Sequence, residues 1–205
     1  MAVPAGTADL EELADVLQAG LWDDPVARWL LPDEPSRSRR LARVWRVLLR
    51  SHYLPMRSVW TTSDQAGAAL WAPPGHAGVT GTELRGSARL LLSALGCHTV
   101  RAGLAVQHRR AAAPSGSYWR LGALVTNPGR RGEGIGTALL GPGLRRCDAE
   151  GTGAYLEVTS RAAVRYFGRH GFAVRAESAL PWRGPTVWSM WRDPRETGRR
   201  PGAQP

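Results

Sequence analysis

The sequence contains no lysine: all 27 basic residues among its 205 are arginine. That absence excludes a phosphate-cradling Walker loop, which needs a Lys to reach the β- and γ-phosphates. Cysteine is almost as scarce. Only Cys97 and Cys147 occur, outside any CxxC pair or His/Cys cluster at metal-ligand spacing, so neither a zinc site nor a disulfide framework is expected. No apolar run approaches the ~20 residues of a membrane span. Residues 1–13 lack the basic stretch and apolar core of a signal peptide. These absences point to a protein with no metal and no membrane partner, working in a reducing cytoplasm.

What is present suits one globular domain. A hydrophobic fraction of 43% and a charged fraction of 21% are ordinary for a packed core, and 205 residues are short for two domains. We read a single domain over 1–193, with acceptor-side elements in 1–116 and a ligand-binding core in 117–174. Residues 194–205, rich in Arg, Gly and Pro without apolar pattern, are expected to form a flexible tail. The net charge of +10 raises nucleic acid as a partner. Against that, the arginines are scattered without interleaved aromatics, and with abundant Ala, Gly and Pro they fit the composition of a GC-rich genome. No nucleic-acid partner is expected, although a positive field favours an anionic ligand.

Apolar spacing predicts helices over 8–19, from Ser36 through Leu48, and over 84–95 with a weaker continuation to Arg110. A short amphipathic piece follows Pro25. Strands are predicted at 58–62, 66–72, 118–126, 154–159, 172–178 and 187–191, with helices at 134–150 and 161–170. Gly141, Pro142 and Gly143 inside the first of these would cost it stability. Gly171 supplies a left-handed cap after the second.

Between the strand at 118–126 and the helix at 134–150 lies Arg131-Gly132-Glu133-Gly134-Ile135-Gly136-Thr137. Backbone N–H groups at a helix start lack intrahelical partners and the helix dipole adds positive charge, so an anion is stabilised there. Glycine lets a phosphate approach closely, and Arg131 adds a forked cation. A dinucleotide fold would use Glu157, about 20 residues on, for a ribose, but the glycines are spaced G-x-G-x-G and too little chain follows for a second mononucleotide half. The remaining alternative is a tight turn with no ligand.

In these residues the sequence resembles the GNAT superfamily, whose signature R/Q-x-x-G-x-G/A is filled by Arg131, Gly134 and Gly136. It is similar more narrowly to the puromycin N-acetyltransferase-like branch. The likeness runs through DDPVARWLLPDE at 23–34, LWAPPG at 70–75, WRLGALVTNPGRRGEGIGTALLGP at 119–142, YLEV at 155–158 and RHGF at 169–172. The resemblance implies an α/β fold whose central mixed sheet is splayed between strands 4 and 5 and flanked by helices. It also implies acetyl-CoA as cosubstrate. The strand backbone at Leu124, Val125 and Thr126 would hold the pantetheine arm and polarise the thioester, and Arg131, Gly132, Gly134, Gly136 and Thr137 would hold the pyrophosphate. The acceptor would be an amine of a small molecule, such as an antibiotic or other natural product, or of a peptide; the protein would be a monomer or homodimer.

The family's catalytic Tyr falls at Phe167, with Tyr166 adjacent but turned about 100° around the helix. A family Asn falls at Ala163, and a His common in relatives is Tyr118. Candidate catalytic residues are therefore Glu157, Tyr118 and Tyr166. Glu157 is read either as the base that takes the amine proton or as a structural carboxylate satisfied by nearby hydroxyls; Tyr118 is read as a displaced acid or a wall residue. Two rivals stand beside this reading, a longer acyl donor and a non-catalytic acyl-CoA-binding module. The nine tryptophans are read mostly as core, with some near an acceptor cleft.

Overall fold

The computed structural model describes residues 1–76 and 87–195. A seven-stranded sheet runs in the order β1-β2-β3-β4-β5-β7-β6. Its strands are β1 (Ala2–Pro4), β2 (Val59–Thr62), β3 (Gly67–Ala72), β4 (Tyr118–Thr126), β5 (Gly153–Val158), β6 (Ala173–Ala179) and β7 (Thr186–Arg192). Among these, β4 and β5 pair in parallel and the other neighbours antiparallel. A parallel pair requires a crossover, supplied here by α6. The helices are α1 (Leu10–Leu21), α2 (Pro25–Leu30), α3 (Glu34–Leu48), α4 (Ala88–Leu95), α5 (Thr99–Ala112), α6 (Ile135–Ala149) and α7 (Arg161–Gly168). The mixed sheet flanked by helices is the fold class expected from the sequence.

Strand β3 explains why its sequence reads as an unbroken apolar run. Ala69 and Trp71 join a core with Trp119, Leu139, Leu140, Phe167 and Met190 on one face. Ala68, Leu70 and Ala72 join another with Leu13, Leu17, Leu49 and Tyr53 on the opposite face. With successive side chains pointing to opposite faces, a strand covered on both sides has no polar positions to alternate.

Helix α6 continues through Pro142, within the helix expected over 134–150. Leu139 and Leu140 before the proline and Gly143 and Cys147 after it are buried, so packing on both sides offsets the lost N–H, as is usual where tertiary contacts hold a helix. Gly143 is required by contact: a Cβ there would fall 2.2 Å from a Trp71 ring carbon. Gly143→Ala should therefore lower stability by about 2 kcal/mol, within the usual cost of overpacking, measured by urea unfolding.

The segment DDPVARW has a structural role. Asp24 caps α2, one carboxylate oxygen accepting from Val26 N at 2.9 Å and Ala27 N at 3.2 Å, with Pro25 opening the helix. Its other oxygen accepts from the Thr159 hydroxyl at 2.6 Å, which ties the α1–α2 junction to the end of β5. Arg37 is buried, donating to Leu31 O and Pro32 O.

Several boundaries differ from expectation. The three-residue β1 is too short for a periodic signal, and α5 ends at Ala112, two residues beyond the expected Arg110. Leu84 lies outside the described residues, as does most of the expected tail. Helical residues 88–112 are long and apolar enough, by length and composition, to cross a membrane, although the sequence alone suggested no such run. Leu90, Leu92, Val100 and Val106 are exposed.

Candidate active site

Strands β4 and β5 pair from Tyr118–Gly153 to Leu121–Leu156 and no further, although β4 continues to Thr126 and β5 to Val158. Among the described residues, the β5-facing edge of β4 has no strand partner beyond Leu121. On the opposite edge Leu70 pairs with Ala123 and Trp71 with Leu121, leaving Gly122 as the extra residue of a bulge. A Cβ on Gly122 would stand 2.0 Å from the Tyr53 hydroxyl. The sequence reading placed the thioester-facing backbone at Leu124, Val125 and Thr126; the bulge starts the opening just upstream, and a lone glycine inside a strand pattern was its available signal.

At the far end of β4 the chain turns through Pro128–Arg130, where the Asn127 side chain accepts from Gly129 N at 3.1 Å. Asp64 and Glu133 hold Arg130, while Arg131 is exposed. Gly132 and Gly134 have φ of +93° and +76°, in the left-handed region, and a Cβ on either would meet nothing within 4 Å. Gly134 caps α6. The turn therefore leaves space in front of the backbone N–H groups at the start of α6, together with that helix's positive dipole end.

Tyr166 reaches this turn. Its hydroxyl lies 2.9 Å from the point a Gly136 Cβ would occupy, and Thr126 Oγ1 lies 3.7 Å from the same point. Among the described residues the buried hydroxyl has no hydrogen bond of good geometry, its contact with the Thr137 side chain being a loose one. Burial raises its pKa, opposed by the adjacent Thr137 hydroxyl. The next residue, Phe167, turns into the core and packs edge-on against Tyr166 and Phe172. Adjacent helical positions thus face different surroundings, as the ~100° step requires.

On the opposite sheet face, Glu157 sits just past Leu156, the last residue of β5 that pairs with β4, and itself pairs with Ser189 of β7. One carboxylate oxygen accepts from Arg109 Nε at 2.6 Å and Arg120 Nη2 at 2.9 Å; the other accepts from the Tyr155 hydroxyl at 2.9 Å. The Glu157 side chain is 4% exposed. Burial pushes its pKa up, but the two guanidinium groups outweigh burial and hold the carboxyl below its ordinary range. Such a carboxylate is ionised at neutral pH and takes a proton weakly. Burial pushes the Tyr155 phenol up to about 12, and Ser189 Oγ lies 3.1 Å from it.

Tyr118 lies at the closed end of the β4–β5 ladder, buried edge-on against Tyr155 and Trp191. Burial raises its pKa. The three candidate catalytic residues are thus not gathered at one point: Glu157 and Tyr118 connect through Tyr155, whereas Tyr166 belongs to the glycine turn. Trp71, Trp119 and Trp188 are core residues, Trp22 lies beneath Arg37, and Trp182 is exposed. Sequence reasoning missed Arg109, which no local pattern links to a carboxylate so far along the chain.

The sequence profile of the Acetyltransferase (GNAT) family matches residues 49–172. The chain belongs to this family. Among solved structures it is similar to a histone acetyltransferase and related acetyltransferase from Corynebacterium glutamicum, at 25% identity and a TM-score of 0.72, covering 97% of this chain and 98% of that one. It shares its fold with arylalkylamine N-acetyltransferase 2 from Aedes aegypti, at 11% identity, a TM-score of 0.62, and coverage of 94% and 98%. The Drosophila melanogaster polyamine N-acetyltransferase is similar at 15% identity and a TM-score of 0.60, with coverage of 94% and 99%. In this GNAT protein the parting of β4 and β5 and the turn before α6 are the features that set it apart from a plain mixed sheet.

Proposed function

We propose that this GNAT protein transfers the acetyl group of acetyl-CoA to an amine of a small molecule or peptide by direct attack. The observation that carries the reading is the unpaired edge of β4 beyond Leu121, running from the Gly122 bulge toward an open, glycine-lined helix start. A pantetheine arm fits that edge because it offers amides where β4 has lost its strand partner; Leu124, Val125 and Thr126 would receive it. The pyrophosphate would meet Arg131 and the backbone of Gly132, Gly134, Gly136 and Thr137.

In the reaction the amine nitrogen bonds to the thioester carbon, the carbon–sulfur bond breaks, and the amine loses a proton. Backbone N–H groups along the opened β4 edge are available to hold the negative charge that develops on the carbonyl oxygen. A thiol with a pKa near ~8.5 can leave as thiolate without a strong acid, so the protein works without a phenol at Phe167. The clamped Glu157 is a weak acceptor for the amine proton, which leaves to water. Glu157 instead positions Arg109 and Arg120 beside the opening, and Tyr118 forms wall.

The test is mass-spectrometric detection of N-acetylated product, with CoA release, across amines of different charge. Binding of acetyl-CoA without modification of any amine would favour the non-catalytic module. Tyr166 gives a narrower check. Its hydroxyl, held only loosely by Thr137, is placed to hydrogen-bond the bound coenzyme, so Tyr166→Phe should weaken acetyl-CoA binding by about three- to tenfold, the equivalent of one hydrogen bond. Calorimetry showing unchanged affinity would remove Tyr166 from the site.

A further inference from the structure

We infer that the amine acceptor carries a carboxylate, and that Arg109 on α5 is the specificity residue that receives it. This inference rests on the acetyl-transfer reading above. The place is the acceptor face where β4 and β5 part. Arg109, Arg120, Tyr155 and Glu157 converge there, on the side of the sheet opposite the glycine turn.

The three charged side chains are not equivalent. Glu157 and Arg120 are nearly sealed, with side chains 4% and 9% exposed, and they bond to each other. Arg109 is 45% exposed and bonds to Glu157 through Nε, which leaves its two Nη groups for a ligand. Arg120 makes a further interaction besides Glu157, so the cation offered to a ligand is Arg109. A planar carboxylate on the acceptor matches its guanidinium fork in two parallel hydrogen bonds.

The chemistry also explains why the site holds Glu157 so firmly while leaving it a weak base. Fixed from one side by Glu157, the Arg109 fork is pre-organised at the edge of the opening. A carboxylate docked on it places the amine of the same molecule toward β4. The class is therefore an amino acid, or a peptide short enough for its terminal carboxylate and amine to reach this one opening together.

The experiment compares matched acceptors at saturating acetyl-CoA and constant ionic strength: glycine, alanine, phenylalanine and glutamate against their carboxamides and their decarboxylated amines. In the wild type the best carboxylate should exceed its carboxamide in kcat/KM by about tenfold or more, as for a charged hydrogen-bonded pair, with the difference mainly in KM. Arg109→Gln should reduce that ratio to about threefold or less, and Arg109→Lys should keep much of it. A readout without turnover accompanies this: calorimetric binding of N-acetylphenylalanine and of its amide to the CoA complex of each protein. A carboxylate preference in binding that is lost in Arg109→Gln and kept in Arg109→Lys supports the inference. Equal binding of acid and amide, or a preference that survives Arg109→Gln, overturns it. Carboxylate-selective binding without acetylation of any amine supports the subsite and overturns acetyl transfer alone, so the two failures are distinct.

Discussion

Gly134→Val is expected to weaken acetyl-CoA binding by roughly ten- to a hundredfold while the protein remains folded. Gly134 holds φ at +76° as the cap of α6. A β-branched residue in that region costs about 1–3 kcal/mol, and each ~1.4 kcal/mol is a factor of ten in affinity. The side chain itself would meet no protein atom within 4 Å, so the core does not resist it. The turn relieves the strain by moving its backbone, and that movement takes the N–H groups away from the phosphates. A control separates strain from ligand contact. Gly151 also has positive φ, with open space around its Cβ, but lies at the other end of α6 from the turn. Gly151→Val should lose comparable stability in thermal unfolding and keep its affinity. Calorimetry showing that Gly134→Val binds acetyl-CoA as the wild type does would withdraw the pyrophosphate from this turn.

The parts legible in the sequence were those governed by local rules. The strand Tyr118–Thr126 was read with the bounds it has, because its apolar run is closed on both sides by turn residues. The start of α6 was announced by glycines whose left-handed backbone only they adopt readily. The residues that decide the acceptor side were not legible, because they meet only through the fold. Arg109 reaches Glu157 across 48 positions, from a helix whose sequence gives only a weak amphipathic signal. The expected partners of Glu157 were hydroxyls; the structure supplies one, from Tyr155, and two guanidinium groups besides. Tyr166 and Phe167 show a different limit. Their order along α7 was evident, but which ring faces the glycine turn depends on how α7 packs against the sheet.

Glu157→Gln separates a catalytic base from a positioning anion, and its effects on stability and on rate are expected to differ. Removing one partner of a buried ion pair costs about 3–5 kcal/mol, because the other charge is left uncompensated. Arg109 is half exposed and can turn to water, whereas Arg120 cannot, so a loss of about 2 kcal/mol at pH 7 is expected. The sign follows from the depressed carboxyl pKa: the stabilisation is fully present above the unfolded value and is lost as pH falls through the folded one. Wild type and variant should therefore begin to converge in stability only as the pH falls below about 4, the ordinary carboxyl range. Asp148, also held low, first by its hydrogen bonds with Arg192, contributes equally to both proteins and cancels in the comparison. For turnover, loss of a general base would cost about 10² to 10⁴-fold and abolish the acid limb of the rate profile. The clamped geometry predicts a fall of about tenfold or less, since Gln can still accept from one arginine. It also predicts that both proteins share the same acid limb, set by protonation of the substrate amine. A variant that loses both its rate and that limb would make Glu157 the base and return the arginines to the task of tuning it.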